Sequence, residues 1–268
     1  MTKKKKLKVE ILENLELSQG IYSMTILSPE MAGQARPGQF VSLYTGDGTK
    51  LLPRPISICD YDAVKGTLRL VFRIAGAGTK MFSELKAGDS IEVIGPLGNG
   101  YDIDELKEIA GSDALTVVGG GIGIPPMLGL LRAYKEKFPE AKANAVLGYR
   151  SRDTFLDGEF AAYADVYYSS DDGSIGTHGN VIDSIKENSV SSGVICACGP
   201  TPMLRGLVAY SEENQVRTFV SLEEKMACGI GACLACVCKT KEVDSHSQVK
   251  NARICKDGPV FEASKITL

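Results

Sequence analysis

Four cysteines toward the C-terminus, Cys228, Cys233, Cys236 and Cys255, carry the most specific chemistry in the chain. Their C-x4-C-x2-C…C order is the plant-type spacing of a [2Fe–2S] cluster, in which a tight loop wraps three thiolates around the irons. Gly229 and Gly231, with the small Ala227, Ala232 and Ala235, suit such a loop, because glycine reaches positive φ without penalty. A cluster of this kind moves electrons one at a time, so the chain reads as an electron carrier whose remaining sequence supplies a donor and an acceptor. Structural zinc also uses four cysteines, but usually as two C-x2–4-C pairs. Disulfides fit less well, since eight cysteines in 268 residues is far from a disulfide scaffold. Cys238 is the rival fourth ligand. It is expected to face away from Cys236 across a strand, which leaves Cys255, with the polar run Lys239–Asn251 as a surface excursion returning to the cluster. Cys59, Cys196 and Cys238 read as small buried hydrophobes.

Upstream, Arg54-Pro55-Ile56-Ser57 opens a strand that Pro53 and Pro55 hold extended. An arginine fixed there suits a planar, anionic partner, and the Ser57 hydroxyl suits a heteroaromatic edge. Alone, the tetrapeptide is an ordinary strand start. Gly76-Ala77-Gly78-Thr79 follows another strand and feeds a short helix, expected over Lys80–Leu85, whose free N–H groups suit a pyrophosphate. Both features on one barrel read as a flavin dinucleotide site. Gly119-Gly120-Gly121-Ile122-Gly123 lies between a strand and a helix, the context of a nucleotide phosphate loop, although Ile124 replaces the last glycine of G-x-G-x-x-G. No acidic residue ends the next strand. Tyr149-Arg150-Ser151-Arg152 stands there, which leaves NAD and NADP open, because these arginines suit a 2′-phosphate or simply solvent. Cys198, opening Cys198-Gly-Pro-Thr-Pro-Met203, ends a strand at the sheet's carboxyl edge. It is read as a catalytic residue beside a nicotinamide, against the plainer alternative of a buried strand cysteine. His178 and His246, the two histidines, read as solvated loop residues.

Three segments must position these groups. From Leu7 to about Tyr101, short alternating runs (Val9-Ile11, Tyr22-Met24-Ile26, Phe40-Val41-Leu43, Ile56-Ile58, Leu68-Leu70-Phe72, Ile91-Val93) are punctuated by Pro-Gly and Gly-Asp turns, which predicts an antiparallel β-barrel. After Gly111, buried strands alternate with helices, beginning with Leu115–Gly119 and a helix opened by Pro125-Pro126, which predicts a doubly wound parallel sheet. The cysteine-rich tail from about Ser221 reads as a third unit. The expected domains are residues 1–104, 105–220 and 221–268. Hydrophobic content of 44% and a formal charge of −3 match an ordinary globular protein and give no electrostatic case for nucleic acid. No apolar run reaches the roughly 18 residues that span a bilayer, and Lys3–Lys6 is not followed by a secretory apolar region. The expected compartment is therefore the cytoplasm.

In this order the motifs resemble those of the ferredoxin reductase-like flavoproteins, and most of all the electron-transfer subunits of class 1B, NAD-linked dihydroorotate dehydrogenases. The resemblance covers essentially the whole chain. It rests on Arg54-Pro-Ile-Ser57, Gly119-Gly-Gly-Ile-Gly-Ile-Pro-Pro126, Cys198-Gly-Pro-Thr-Pro-Met203 and Met226-Ala-Cys-Gly-Ile-Gly-Ala-Cys-Leu-Ala-Cys236. It implies a barrel that binds FAD through Arg54 to Ser57, Val71, Phe72, Arg73, Gly78 and Thr79. It further implies a second domain that receives NAD, and a tail that holds the cluster on the four cysteines. The implied partner is an FMN-containing subunit that oxidises dihydroorotate in pyrimidine biosynthesis, two of each forming a heterotetramer. The 18 residues between Cys236 and Cys255 are a longer insert than the resemblance implies. Similar architectures serve sulfite reductases, hydrogenases and ferredoxin oxidoreductases with other partners, and a flavin-free binding module on the same fold is the non-enzymatic alternative.

Overall fold

The computed structural model describes residues 5–243 and 248–268, so His246 lies outside the described residues. Six strands form the first unit: β1 (Lys6–Ser18), β2 (Ile21–Leu27), β3 (Phe40–Tyr44), β4 (Arg54–Asp62), β5 (Thr67–Arg73) and β6 (Ser90–Leu97). All pairings are antiparallel, and the order β1-β2-β5-β4-β3-β6 closes through β6 and β1 into a barrel. Alternation builds it. Leu68, Leu70 and Phe72 of β5 point into a core with Ile11, Met24, Ile26, Leu43 and Val93. Closure removes the exposed edges that an open sheet would carry. Two short helices interrupt the strands, α1 (Pro29–Ala32) and α2 (Ala77–Glu84). The latter begins at Ala77, earlier than the glycine run suggests, because Gly78 and Thr79 are themselves its first turn.

The second unit begins with α3 (Ile103–Ala110), nucleated by Asp102, whose Oδ1 accepts the backbone N–H groups of Asp104 and Glu105 at 3.0 and 3.1 Å. It continues through β7 (Leu115–Gly120), α4 (Ile124–Lys137), β8 (Ala143–Tyr149), α5 (Asp157–Phe160), β9 (Asp165–Ser170), β10 (Thr177–His178), α6 (Val181–Glu187), β11 (Val194–Cys198), α7 (Thr201–Glu213) and β12 (Arg217–Ser221). β7 and β11 are buried along their whole length, as parallel strands covered on both faces must be. The order β10-β9-β8-β7-β11-β12 is parallel throughout and reverses direction between β7 and β11. That reversal opens a crevice at the carboxyl ends of the two strands, which is where the Gly119–Gly123 loop and Cys198-Gly199-Pro200 lie.

The tail contributes β13 (Val237–Thr240), β14 (Asn251–Arg253), β15 (Val260–Glu262) and β16 (Ile266–Thr267). β14, β13 and β16 form a small antiparallel sheet. The tail is tied to the second unit through one strand. β15 leaves it and pairs antiparallel with β12, extending the large sheet by a strand. Among the described residues no helix is long and apolar enough to cross a membrane.

Barrel and sheet meet at the face of α4. An added Cβ on Gly129 would stand 2.2 Å from the Cys59 carbonyl oxygen of β4, so backbone lies against backbone there. Arg132, one turn on, pairs with Asp60 of β4, and Arg69 of β5 reaches Glu159 of α5 at 2.7 Å. β4 starts at Arg54 and α4 follows the glycine loop, so this contact ties the two expected cofactor sites together.

Candidate functional site

A cavity of about 470 Å³ opens where the barrel faces the segment after β12. Arg54, Pro55, Ile56, Ser57, Val71, Phe72, Arg73 and Thr79 line its barrel side, and Leu222 to Met226 with Pro259 line the other. Gly78 does not line it but lies beneath Arg54. A Cβ there would fall 2.2 Å from the arginine Nε, so only glycine lets the guanidinium lie across the start of α2. The Arg54 Nη1 donates to the carbonyls of Leu52 and Lys50, which fixes the fork. Thr79 Oγ1 accepts the N–H groups of Ala75 and Gly76 at 2.8 and 3.2 Å and holds the glycine turn in place. No side chain caps α2, so the first N–H groups of the helix stay free beside a fixed cation. A pyrophosphate-bearing flavin fits that chemistry.

A second cavity, about 450 Å³, occupies the crevice between β7 and β11. Gly120 and Gly121 line it, along with Tyr149, Arg150, Ser169, Asp171, Asn180 and Met203. Gly123 does not. Its added Cβ would lie 2.3 Å from the Cys198 carbonyl oxygen, so it serves the close packing of α4 on β11. α4 offers no free donors at its start, since the Ile124 N–H donates to the Gly121 carbonyl and Pro125 and Pro126 have none. Ser169 Oγ is buried without a hydrogen-bond partner, a polar atom free for a ligand. Arg150 and Asp171 stand in the same cavity with opposite charge, whereas the Arg152 Nη2 donates to the Ser174 carbonyl at 3.0 Å. These groups suit a second dinucleotide. His178 is exposed, its Nε2 3.1 Å from the Asp171 carbonyl oxygen.

Arg73, Ile122 and Glu223 line both cavities, so ligands filling them would meet at these three residues. Cys198 lines neither. It is fully buried at the end of β11, with its Sγ 4.0 Å from Glu223 Oε1. Burial raises its thiol well above the ordinary range, and the Glu223 carboxylate adds to the rise. The Glu223 carboxyl is itself raised, by desolvation, with Arg73 opposing. Glu223, Pro259, Ser169 and Asp171 carry no motif and are added by the fold. For Glu223 the one available signal is an acidic pair placed directly after a buried run, Phe219–Leu222.

The four cysteines gather at the tail. Cys228 contacts the Cys233 thiol, and Cys255 contacts that of Cys236, so the sulfurs stand as two pairs. Among the described residues no three His, Cys, Asp or Glu side chains converge on a single ion. Two pairs suit a cluster in which each of two irons takes two thiolates. The loop is shaped for sulfur. Ile230 and Ala232 donate N–H groups to Cys228 Sγ at 3.5 and 3.3 Å, and Gly231 donates to Cys255 Sγ at 3.1 Å. Gly229 and Gly231 have φ of +68° and +84°. Burial opposes ionisation of Cys228, but the N–H donors and Cys233 bring its thiol down to about 6. Burial and the neighbouring Cys236 push Cys255 up to about 12. Strand periodicity does not turn Cys238 away from Cys236, since residues two apart share a face. The separation has another cause: Cys236 precedes β13, while Cys238 lies within it opposite Ala252 and lines a different hollow with Leu204 and Leu268.

Comparison with known proteins matches three family models to the chain. They are an oxidoreductase FAD-binding domain over residues 6–101, an oxidoreductase NAD-binding domain over 117–208, and the iron-sulfur cluster binding domain of dihydroorotate dehydrogenase B over 223–267. The dihydroorotate dehydrogenase B (NAD(+)) electron transfer subunit of Listeria monocytogenes serotype 4a (strain HCC23) is 42% identical over 97% of this chain and 98% of its own. The subunit of the same name from Fusobacterium nucleatum subsp. nucleatum is 40% identical, with 96% of each chain covered. Among solved structures, a chain of the NADH-dependent reduced ferredoxin-NADP oxidoreductase superposes with a TM-score of 0.83 at 28% identity, covering 97% of this chain and 89% of that one. A ferredoxin NADP+ reductase from Neisseria gonorrhoeae shares the fold at a TM-score of 0.64 and 16% identity, over 83% of this chain and 95% of that one.

Proposed function

The chain belongs to the electron transfer subunits of NAD-linked dihydroorotate dehydrogenase B, and on that premise we propose that it relays electrons from an FMN-containing catalytic subunit to NAD+. It is an oxidoreductase subunit with FAD, an iron–sulfur cluster and NAD as its redox groups. The cluster supplies single-electron transfer and the flavin converts this to hydride chemistry, which belongs to the cofactors themselves. The chain's own residues hold and orient. Cys228, Cys233, Cys236 and Cys255 are the cluster ligands in this reading. Arg54 and the free N–H groups of α2 hold the flavin's diphosphate, with Ser57 at the ring edge and Val71, Phe72 and Arg73 along the same wall. Gly120 and Gly121 admit the nicotinamide dinucleotide to the second cavity. Arg73, Ile122 and Glu223 mark where the two rings meet, and Cys198 acts from behind that point through Glu223, positioning the contact instead of touching hydride.

The single observation that carries this reading is the sharing of Arg73, Ile122 and Glu223 between two cavities, one beside the uncapped start of α2 and the other lined by Gly120 and Gly121. Electrons enter at the exposed side of the cluster loop, where Cys233 is open to solvent and Ile230 and Leu234 are 53% and 62% exposed. Apolar side chains left uncovered beside a redox centre suit the face of a partner subunit. The partner in this reading is the dihydroorotate-oxidising subunit, two of each forming a heterotetramer in the cytoplasm. The architecture shared with the ferredoxin-NADP oxidoreductase chain keeps one other reading in view, a different partner on the same relay. The test is the activity split. A Cys233→Ser complex should lose dihydroorotate-dependent NAD+ reduction while NADH-dependent dye reduction at the flavin continues. Equal loss of both would contradict the division of roles.

A further inference from the structure

Between cluster ligand Cys255 and the flavin cavity's wall at Pro259 lie three residues, Lys256, Asp257 and Gly258. Their three successive carbonyl oxygens are all taken by one residue of the barrel. Asn99 Nδ2 donates to Lys256 and Asp257, each at 3.1 Å, and the Asn99 backbone N–H donates to Gly258 at 2.6 Å. Asn99 also bridges to Pro259. Its neighbour Gly98 permits the approach, since an added Cβ there would fall 2.6 Å from Pro259 Cδ and 2.7 Å from the Gly258 carbonyl oxygen. Gly98 is in turn held to the barrel by Gln39, whose Nε2 donates to its carbonyl at 2.8 Å.

The far side of the same segment is held just as firmly. Arg253 grips Asp257 through Nε and Nη2 at 2.9 and 3.0 Å, and the Asp257 N–H returns to the Arg253 carbonyl at 2.7 Å. Leu222, on the same wall of the cavity as Pro259, donates its N–H to the Pro259 carbonyl at 3.0 Å. The turn that presents Cys255 is therefore a compact block. What joins that block to the barrel's flavin-binding side is the Gly98-Asn99 corner. A surface asparagine spending every donor it has on a segment more than 150 residues away is not explained by local turn chemistry.

We propose that Asn99 is a positioning residue for electron transfer, fixing the span between the cluster and the flavin by docking the 256–258 carbonyls onto the barrel. The proposal rests on the reading of Cys255 as a ligand and of the first cavity as the flavin site. It assigns Asn99 no contact with either group. Replacing it removes two donors, leaves two carbonyls unsatisfied and frees the segment to shift by ångström-scale amounts. Electron transfer weakens steeply with the distance between centres, so misplacement on that scale slows the step several-fold.

The test uses Asn99→Ala and Asn99→Asp in the complete complex, with iron and FAD content measured first. Both variants should keep wild-type iron, FAD and NADH-dependent dye reduction. Reduction of the oxidised cluster by the flavin after anaerobic mixing with NADH, followed by bleaching of cluster absorbance, should slow several-fold. Asn99→Asp should be the slower of the two, because its carboxylate faces the carbonyl oxygens of Lys256 and Asp257. Amide exchange read by mass spectrometry should quicken in the peptide containing residues 256–260 and not elsewhere. Wild-type cluster reduction with wild-type exchange would overturn the proposal, as would loss of iron or FAD from both variants, which would make Asn99 a structural anchor. Wild-type protein lacking iron or FAD would instead defeat the underlying assignment.

Discussion

Gly129 offers a quantitative test of how the two dinucleotide sites are held together. Alanine would place a methyl 2.2 Å from the Cys59 carbonyl oxygen, where about 3.5 Å is a comfortable contact, so α4 and β4 must part by more than an ångström. Both sides are constrained. Leu128, Leu130 and Leu131 bury α4 in the sheet's core, and Arg132 is paired to Asp60 of β4 one turn on. Overpacking of this kind costs about 1–3 kcal/mol, and alanine's better helix propensity returns about 1 kcal/mol. The net loss is about 0–2 kcal/mol, or up to about 8 °C in Tm for a chain of this size. The function should suffer more than the stability. β4 carries Arg54–Ser57 and α4 begins at the glycine loop, so an ångström of separation moves the hydride donor from its acceptor, at a cost on the order of 100-fold. Thermal unfolding and NADH-dependent dye reduction of Gly129→Ala measure the two effects. Gly158→Ala is the control, since its methyl meets nothing within 4 Å and should leave Tm level or raise it slightly. A Gly129→Ala protein with wild-type Tm and wild-type dye reduction would refute the argument.

Three further outcomes are expected. Cys255→Ser should lose iron while Cys238→Ser keeps a full complement; the opposite result in an iron assay would transfer the ligand role to Cys238. Asp171→Ala should weaken NADH and relatively favour NADPH, because Arg150 then faces the second cavity without a nearby carboxylate; an unchanged ratio of kcat/KM for the two cofactors would remove Asp171 from the site. Glu262 is held below its ordinary value of 4.5, burial opposing but Arg217 and Lys265 prevailing. Because its folded value is depressed, it contributes stability that is complete above pH 4.5 and is lost as pH falls through the folded value. Arg217 is half exposed while Glu262 is mostly covered, and solvent screening on the arginine side keeps the contribution to about 1 kcal/mol. Glu262→Gln should flatten the acid limb of the stability profile by that amount, and an unaltered limb would show that the β12–β15 pairing does not draw on this ion pair.

The barrel was legible because one face of each strand is buried. In β5, Leu68, Leu70 and Phe72 alternate with polar positions, and Val71 departs from the pattern because its other face meets the cavity and the second unit. The glycine loops and the cysteine spacing were legible because close backbone approach admits few residue types. The helix over Ile103–Ala110 passed unread and a domain boundary was drawn through it, although Asp102 with Asp104 and Glu105 is an N-terminal signal. β12 and β15 were not separable from loop, since five and three residues give no period and their pairing is decided by tertiary contact. Asp171 and Asn99 act through neighbours far away in sequence, so no local pattern marks them, and Glu223 has only the acidic pair after its buried run.

The most direct test of the relay is to mix the anaerobic complex of this chain and its catalytic subunit with dihydroorotate and NAD+, and to count NADH formed per dihydroorotate consumed. The account predicts one NADH for each dihydroorotate, with none formed by either subunit alone. NADH production by the catalytic subunit without this chain would contradict it. So would a complex that oxidises dihydroorotate with dyes yet never reduces NAD+.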